Sequence, residues 1–281
     1  MAALLRKLPP ARVAVPGAVL VLILLFAAFG HVLTPYDYST SSLLDRNLPP
    51  VFLGGEWDHP LGTDGLGRDY LERLVVGSRV SIGLALVGTI IGMILGTALG
   101  LIAARGNRFL DGAITGLIDF QAAVPFMIIA LSVLAVFGSS MTLFVFLLGF
   151  YGWETYARLA RNSALSAHTL QFVEAARVIG VSPAVIDRRH ILPTIGNVII
   201  VQATLNFPQT ILLESGLSFL GLGIQPPMTS LGQLLGSGRD SLARAWWIAV
   251  IPGALIFFTT LSISLLGDAL RDKLDPTTRK D

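Results

Sequence analysis

The stretch 80-VSIGLALVGTIIGMILGTALGLIAA-104 contains no charged residue from end to end. A helix needs about 20 mostly apolar residues to cross roughly 30 Å of hydrocarbon, so this stretch predicts a membrane-spanning helix. Its glycines Gly88, Gly92, Gly96 and Gly100 recur every four residues and therefore share one helix face. Small residues let two helix backbones approach closely, so the face predicts a packing seam, although glycine is also simply common in membrane helices.

The composition of the whole chain indicates the same environment. Hydrophobic residues make up 53% and charged residues only 14% of the 281 positions, whereas soluble domains carry about 25% charged residues. A formal net charge of +2 gives no sign of a nucleic-acid partner. The absence of cysteine excludes disulfides, thiolate metal sites and cysteine nucleophiles. The expected solvent is therefore the lipid bilayer.

Further apolar runs predict an all-α, polytopic membrane protein with about six transmembrane helices. The run that follows Gly112 is too long for one helix, and Gly138-Ser139-Ser140 divides it. The predicted spans are Val13–Leu33, Val80–Ala104, Gly112–Phe137, Met141–Leu159, Thr194–Leu213 and Trp246–Gly267. The first lacks a convincing small-x-small cleavage site, so we interpret it as a retained helix and not as a signal peptide.

The distribution of basic residues predicts the orientation of these spans. Six helices place both termini on one side, and of the 20 Lys and Arg residues only six lie on the other side: Arg46, Arg68, Arg73, Arg79, Arg239 and Arg244. Cytoplasmic loops carry the excess of Lys and Arg. Both termini are therefore expected in the cytoplasm, and the segments 34–77 and 216–245 are expected to face outward.

We divide the chain into three parts on this basis. Residues 1–77 form an N-terminal helix plus an outward-facing segment, residues 78–270 form the transmembrane core, and residues 271–281 form a cytoplasmic tail. The core contains a hydrophilic cytoplasmic loop, 162–193, which is longer than a connection between two helices requires.

The pattern within this loop predicts two helices joined by a sharp turn. Thr169 is placed to cap the first helix, and Gly180 is placed to end it in the left-handed conformation. Ser182-Pro183 then resembles the N-cap and first residue of a second helix that ends at Pro193. A rigid element of this kind, projecting into the cytosol, is suited to docking a soluble partner.

The residues of the loop resemble a known family. Glu174-Ala175-Ala176, then Gly180, then His190-Ile191-Leu192-Pro193 is similar to the EAA loop of the membrane subunits of bacterial ABC importers. The family usually has Ile where this chain has His190, and Ile191 is shifted by one position. Glu-Ala-Ala alone is also a generic helix-forming tripeptide.

Three further segments extend the resemblance over nearly the whole chain. His59-Pro60-Leu61-Gly62-Thr63-Asp64 with Leu66-Gly67-Arg68-Asp69 is similar to the outward segment before the second helix of peptide-class permeases. Ser218–Gly223 with Gln225-Pro226-Pro227 resembles the segment after their fifth helix, and 266–276 resembles their tail. These matches occur in family order from about residue 57 onward. The chain is most similar to the second (C-type) permease subunit of dipeptide or oligopeptide importers.

The resemblance implies a type I ABC importer permease fold in the bacterial inner (cell) membrane. It implies a channel-forming subunit that translocates peptides delivered by an external binding protein. The implied partners are a second homologous permease and two ATP-binding subunits, which hold ATP and magnesium. The residues implied to contact the ATP-binding subunits are Glu174, Ala175, Ala176, Gly180 and Pro193. Relatives in this class also handle nickel chelates or other small solutes, and dipeptides or oligopeptides are our expectation.

The chain's own residues do not indicate catalysis. A Walker A loop ends in lysine, and the only lysines are Lys7, Lys273 and Lys280. The four histidines lack the spacing of metal ligands, and no serine nucleophile with a paired base is indicated. We therefore expect no enzyme activity and no bound cofactor. The alternatives are an ion-coupled secondary transporter, which would show internal repeats, and a membrane-embedded enzyme.

Charged residues inside predicted spans are candidates for function or for internal pairing. Asp119 lies about seven residues into its predicted helix, roughly 10 Å from that end. It is expected to pair with Arg105 or Arg108. Glu154 is expected to pair with Arg158 one helical turn later.

Two residues near the outer end of the fifth predicted span are candidates for a gate or for the path. Glu214 precedes the Ser218–Gly223 segment, which we interpret as a possible outward gate, and Phe219 lies within it. Prolines inside predicted spans are expected to kink them: Pro125, Pro208 and Pro252.

Overall fold

The structure is a computed structural model that describes residues 10–33 and 37–274. Within those two ranges the chain forms helices joined by irregular segments, the longest of them residues 37–69, and it forms no strand apart from an isolated bridge between Thr63 and Asp69. The helices are α1 Pro10–Phe29, α2 Tyr70–Ala103, α3 Arg108–Ala123, α4 Phe126–Phe137, α5 Met141–Phe150, α6 Trp153–Ala167, α7 Gln171–Val178, α8 Pro183–Ile186, α9 Leu192–Phe219, α10 Leu231–Gly238 and α11 Trp247–Leu274. Basic residues at 6, 7, 279 and 280 and the tail residues 275–281 lie outside the described residues.

Four stretches in the described part are single helices long and apolar enough to cross a membrane. They are Ala11–Leu33, Tyr70–Ala103, Pro183–Phe219 and Trp247–Leu274. Helices α3 and α4 pass the same test together, as one span bent by 86°. The fourth predicted span, Met141–Leu159, corresponds to α5 and α6, which are 10 and 15 residues long.

Two of the predicted spans are broken where a single helix was expected. The continuous helix expected over Gly112–Phe137 ends at Ala123, because Val124 is extended (φ −108°, ψ 126°) and precedes Pro125. The break between α5 and α6 lies at Tyr151-Gly152, and Gly152 has a positive φ of 78°. By contrast, Pro208 and Pro252 lie inside continuous helices.

Helix α2 begins ten positions before the expected Val80. Asp69 is its N-cap, and the carboxylate accepts a hydrogen bond from the Glu72 N–H at 2.8 Å. The charged residues at this end, Glu72 and Arg73, are buried inside the protein. The apolar run alone therefore underestimates the length of α2, which is 34 residues.

The packing seam predicted on α2 is confirmed. A Cβ atom added at Gly96 or Gly100 would overlap with backbone atoms of α6, among them the carbonyl oxygens of Trp153 and Ala157. At Gly88 it would come within 2.9 Å of the Leu148 side chain in α5. Because real Cβ atoms do not tolerate such contacts, only glycine lets α2 approach the broken helix pair so closely.

The segment before α2, residues 37–69, is folded around one carboxylate. Asp64 accepts from Arg68, with an Nη2–Oδ2 distance of 2.7 Å, and it also pairs with the buried Arg73. Arg73 in turn lies 3.3 Å from the hydroxyl of Thr229. Burial alone would raise the pKa of Asp64, but hydrogen bonds from Arg68 and the charge of Arg73 outweigh it and leave that pKa below its ordinary value. The segment is thus attached to the core next to the start of α2 and to Thr229.

Candidate functional site

The loop between α6 and α9 contains the predicted short helix and turn. Helix α7 begins after Leu170, and no side chain caps it. The predicted cap at Thr169 is wrong, because that hydroxyl donates to the Ser166 carbonyl at 2.8 Å. Gly180 has a φ of 82°, and the N–H of Val181 donates to the Ala176 carbonyl at 3.1 Å. The left-handed glycine that ends α7 is therefore confirmed.

The second helix of the loop does not end at Pro193. Pro183 begins α8 as expected, but a π turn over Asp187–Ile191 joins α8 to α9, so Pro183–Phe219 is one span of 37 residues. Pro193 lies in the first turn of α9. Proline cannot donate the usual backbone hydrogen bond, and the wider π turn just before it accommodates that interruption.

The two sides of α7 differ in chemistry. Val173 and Ala176 are buried against the protein, whereas Glu174 and Ala175 are exposed. Beyond them the turn presents a bare apolar tip, because Val178 is 85% exposed and Ile179 is 79% exposed. A carboxylate beside an uncovered apolar tip is suited to a partner groove.

A buried ion pair fixes the base of this loop to the end of α2. Asp187 in the π turn is buried, and its Oδ2 lies 2.6 Å from Nε of Arg105. Nε2 of His168 is 3.5 Å from the other oxygen of Asp187, and Arg177 of α7 donates to Nδ1 of the same ring at 2.9 Å. Burial, followed by the nearby charge of Arg177, lowers the pKa of His168. The sequence shows these charges but not that they meet.

Polar side chains also connect α3 to α6, with partners that differ from those predicted. Asp119 pairs with Arg158 at 3.1 Å, and not with Arg105 or Arg108. The predicted Glu154–Arg158 pair is also wrong, because Glu154 instead accepts from Gln121 at 3.1 Å. The remaining contacts are Asp111 with Arg161 at 2.7 Å and Trp153 Nε1 with Gln121 at 2.8 Å. These contacts hold α3 and α6 together along their length.

Glu214 is the centre of a buried polar network near the C-terminal end of α9. The side chain is fully buried, and it accepts from the hydroxyls of Ser218 at 2.8 Å and Ser215 at 3.2 Å. Ser81 of α2 and Ser230 at the start of α10 also lie beside this carboxylate. In the described part of the chain, Glu214 forms no ion pair. One carboxylate therefore links α2, α9 and α10.

The same serines also organise the neighbouring backbone. Ser81 Oγ accepts from the Leu231 N–H at 3.0 Å, and Ser230 Oγ accepts from the Gln233 N–H at 3.2 Å. Phe219, the last residue of α9, is half-buried. Sequence reasoning missed Ser81 and Ser230, because neither lies near Glu214 along the chain.

The chain matches two family models. One is described as "Binding-protein-dependent transport system inner membrane component" and covers residues 88–280. The other, "N-terminal TM domain of oligopeptide transport permease C", covers residues 12–50.

Relatives of the chain in other bacteria match over nearly its full length. It is 37% identical to the di/tripeptide transport system permease protein DppC of Pseudomonas aeruginosa, covering 94% of this chain and 88% of the relative. It is 36% identical to the glutathione transport system permease protein GsiD of Pectobacterium atrosepticum, covering 94% and 87%. It is 34% identical to the oligopeptide transport system permease protein OppC of Escherichia coli K12, covering 93% and 85%.

Solved transporter structures share the fold at low sequence identity. An inward-facing MetNI methionine ABC transporter matches with a TM-score of 0.59 at 19% identity, covering 72% of this chain and 97% of that one. An amino acid ABC transporter matches with a TM-score of 0.54 at 19% identity, covering 73% and 95%. The fold is therefore that of a type I ABC permease. With a family model over most of its length and relatives above 30% identity, the chain belongs to the inner membrane components of binding-protein-dependent ABC transport systems.

Proposed function

We propose that the chain is the channel-forming subunit of an ATP-driven importer of dipeptides or oligopeptides. Several relatives that match over more than nine-tenths of the chain are named as peptide permeases. Nickel or another small solute is the alternative within the class, and the comparisons do not favour an ion-coupled secondary transporter. The observation that carries the proposal is the loop between α6 and α9. Val173 and Ala176 on one side of α7 are buried against the protein, whereas Glu174, Val178 and Ile179 are exposed.

The proposed assembly has a second homologous permease, two ATP-binding subunits and an extracytoplasmic peptide-binding protein. ATP and magnesium belong to the ATP-binding subunits, and the membrane chain binds neither. The acidic and apolar tip formed by Glu174, Val178 and Ile179 would enter a groove of an ATP-binding subunit. We place both termini and this loop in the cytoplasm because basic residues are in excess on that side.

Movement of the tip has two structural routes into the membrane. Through the Arg105–Asp187 pair, a push on the loop would reach the inner end of α2. Through α6, it would reach α3, because the polar contacts described above join the two helices. At the outer end, the Glu214 network would keep α2, α9 and α10 together as one side of a gate, with Phe219 beside it. Opening and closing would then follow rigid movements of these units.

The function is tested with the assembled complex in proteoliposomes. We expect uptake of a labelled dipeptide that requires the binding protein outside and ATP at the cytoplasmic face. Ile179→Asp is expected to abolish co-purification of the ATP-binding subunits, whereas Leu242→Asp, at a 49% exposed position in the segment that is expected to face outward, is the matched control. Uptake that continues without ATP would contradict the proposal.

A further inference from the structure

His168 lies where several segments of the chain meet. It is the first residue after α6, and its N–H donates to the Ala164 carbonyl at 2.8 Å, which fixes it to the end of that helix. On one side of the ring lies Arg177, in the last turn of α7, and on the other lies Asp187 of the π turn. Behind Asp187 is its partner Arg105, just after α2. The His168 side chain is 11% exposed, so these neighbours surround the ring more than water does.

The contact with Arg177 determines which nitrogen of the imidazole carries a proton. A guanidinium has N–H donors and no acceptor. The 2.9 Å contact between Nη2 of Arg177 and Nδ1 of His168 therefore requires an Nδ1 without a proton. The neutral ring then carries its proton on Nε2, which faces Oδ1 of Asp187 at 3.5 Å. Both atoms are buried, and neither has a hydrogen-bond partner among the described residues.

A second proton on the ring would break the link to α7. Nδ1 would become an N–H that faces another donor, and the ring and the guanidinium of Arg177 would repel each other as like charges. Toward Asp187 the protonated ring would keep its N–H and gain an attraction between opposite charges. Burial, followed by the charge of Arg177, lowers the pKa of His168, so the neutral form is the one present at pH 7.

Arg177 is placed to pass this change on to the docking surface. It directly precedes Val178 and Ile179, the exposed tip of the loop. Val173 and Ala176 hold α7 by apolar burial, which fixes no exact orientation, whereas Arg177 adds a directed hydrogen bond at the end next to the tip. Loss of this bond would therefore loosen the tip first.

We propose that neutral His168 is a positioning residue for transport: it holds Arg177 of α7 to Asp187 of the π turn, and acidification of the cytoplasm breaks this link and lowers peptide uptake per ATP. This rests on the proposed function. His168 acts on transport through the orientation of α7, without contact to peptide or ATP. A loosened tip transmits less of the movement of an ATP-binding subunit to the membrane helices.

Two substitutions separate the acceptor from the charge. His168→Asn keeps an oxygen close to the position of Nδ1 and does not titrate, whereas His168→Lys places a permanent positive charge beside Arg177. Hydrogen exchange of residues 171–181 is followed in the assembled complex and corrected for the intrinsic effect of pH on exchange. At pH 7 we expect His168→Lys to exchange about tenfold faster than the parent, because a hydrogen bond from a charged donor is lost. His168→Asn should stay within about twofold of the parent.

The pH profile distinguishes this role from simple packing. Because the folded-state pKa of His168 is lowered, the stabilisation from the neutral ring is full above about pH 6.5 and is lost as the pH falls through the folded-state pKa. Exchange in the parent should then rise toward the rate of His168→Lys, whereas His168→Asn should show no such rise. His190→Asn is the control, because that ring packs on Phe172 in the same loop; it should keep the parent's profile. The same profile in the parent and His168→Asn would overturn the proposal.

Arg177→Met tests the partner of the ring. It should speed exchange at pH 7 about as much as His168→Lys does, and His168→Lys should add nothing in the Arg177→Met background, because the contact is already absent. Effects that add in the double variant would refute the link.

Peptide uptake in proteoliposomes separates the two levels of the argument. As the cytoplasmic face is acidified, the ratio of peptide transported to ATP hydrolysed should fall in the parent and hold in His168→Asn. In His168→Lys it should be low throughout. Normal ATP-dependent uptake at pH 7, with one pH profile for the parent and His168→Asn, would contradict only the role of His168. No ATP-dependent uptake by the parent at pH 7 would contradict the proposed function itself.

Discussion

The ion pair between Arg105 and Asp187, at the base of the loop between α6 and α9, predicts an asymmetric response to mutation. The Asp187 side chain is 3% exposed, whereas the Arg105 side chain is 39% exposed. Arg105→Gln leaves a buried carboxylate without its 2.6 Å partner, and His168 remains only at 3.5 Å. Removing one member of a buried pair costs about 3–5 kcal/mol, and we expect the lower end because Arg105 is partly hydrated.

The reverse change is expected to be milder. Asp187→Asn removes the buried charge itself, and the guanidinium that remains is already partly in water. The loss is then close to one hydrogen bond, about 1 kcal/mol. The double variant should resemble Asp187→Asn, because it too leaves no buried charge.

Hydrogen exchange of residues 171–181 in the assembled complex measures these costs locally. A loss of about 3 kcal/mol in local opening corresponds to roughly 150-fold faster exchange, and about 1 kcal/mol to roughly fivefold. Arg239→Gln is the control, because its pair with Asp240 is exposed on both sides, at 67% and 82%. Exchange as fast in Asp187→Asn as in Arg105→Gln would refute the reasoning.

Three further predictions follow from single positions. Gly96→Ala should destabilise the packing of α2 by about 1–3 kcal/mol and lower the melting temperature, whereas Gly83→Ala, with nothing within 4 Å, should not; equal melting temperatures would contradict the seam. Gly180→Ala should cost about 1 kcal/mol, because φ is 82° there, and weaken ATP-binding subunit recovery in pull-downs; unchanged recovery would contradict the need for this turn. The folded-state pKa of Asp64 is lowered, so the stabilisation from its carboxylate is full above about pH 4 and is lost as the pH falls through the folded-state pKa. Proteolysis of the segment before α2 should therefore rise only in that acid range. The variant Asp64→Asn, which removes the carboxylate partner of Arg73, should be susceptible already at pH 7.

Local patterns account for the parts of the fold that the sequence predicts correctly. The spans follow from apolar runs, because length and hydropathy alone decide whether a helix can cross the bilayer. The α2 seam follows from glycine spacing, which places four residues on one face whatever surrounds them. Gly180 follows from the glycine that a left-handed helix end requires. Each of these depends on residues near each other in the chain.

The features that the sequence does not predict depend on partners far along the chain. Helix α2 extends back to Tyr70 because Asp64 and Thr229 satisfy Arg73, and neither partner is visible from the apolar run. Proline can kink a membrane helix or break it, and only the observed packing shows that Val124-Pro125 is a break.

The candidate site shows the same division. A short sequence pattern predicts α7 and Gly180, whereas nothing near Asp187 in the sequence indicates that it pairs with Arg105. The sequence indicates Glu214 as a candidate because it is a charged residue just before the Ser218–Gly223 segment. That it connects α9 to α2 and α10 depends on Ser81 and Ser230, which are distant in the sequence. Asp119 pairs with Arg158, 39 residues later in α6, and nothing in the sequence near Asp119 indicates that partner.

A single crosslink tests the central claim, that the bare tip after α7 meets the ATP-binding subunits on the cytoplasmic side. The variant Ile179→Cys, in a chain without other cysteines, is joined to its neighbours in the intact complex by a short thiol-to-amine reagent. We predict that the product contains an ATP-binding subunit and that Leu44→Cys, 96% exposed on the proposed outer side, gives none. Crosslinking of Leu44→Cys to an ATP-binding subunit, with none from Ile179→Cys, would contradict both the docking site and the orientation.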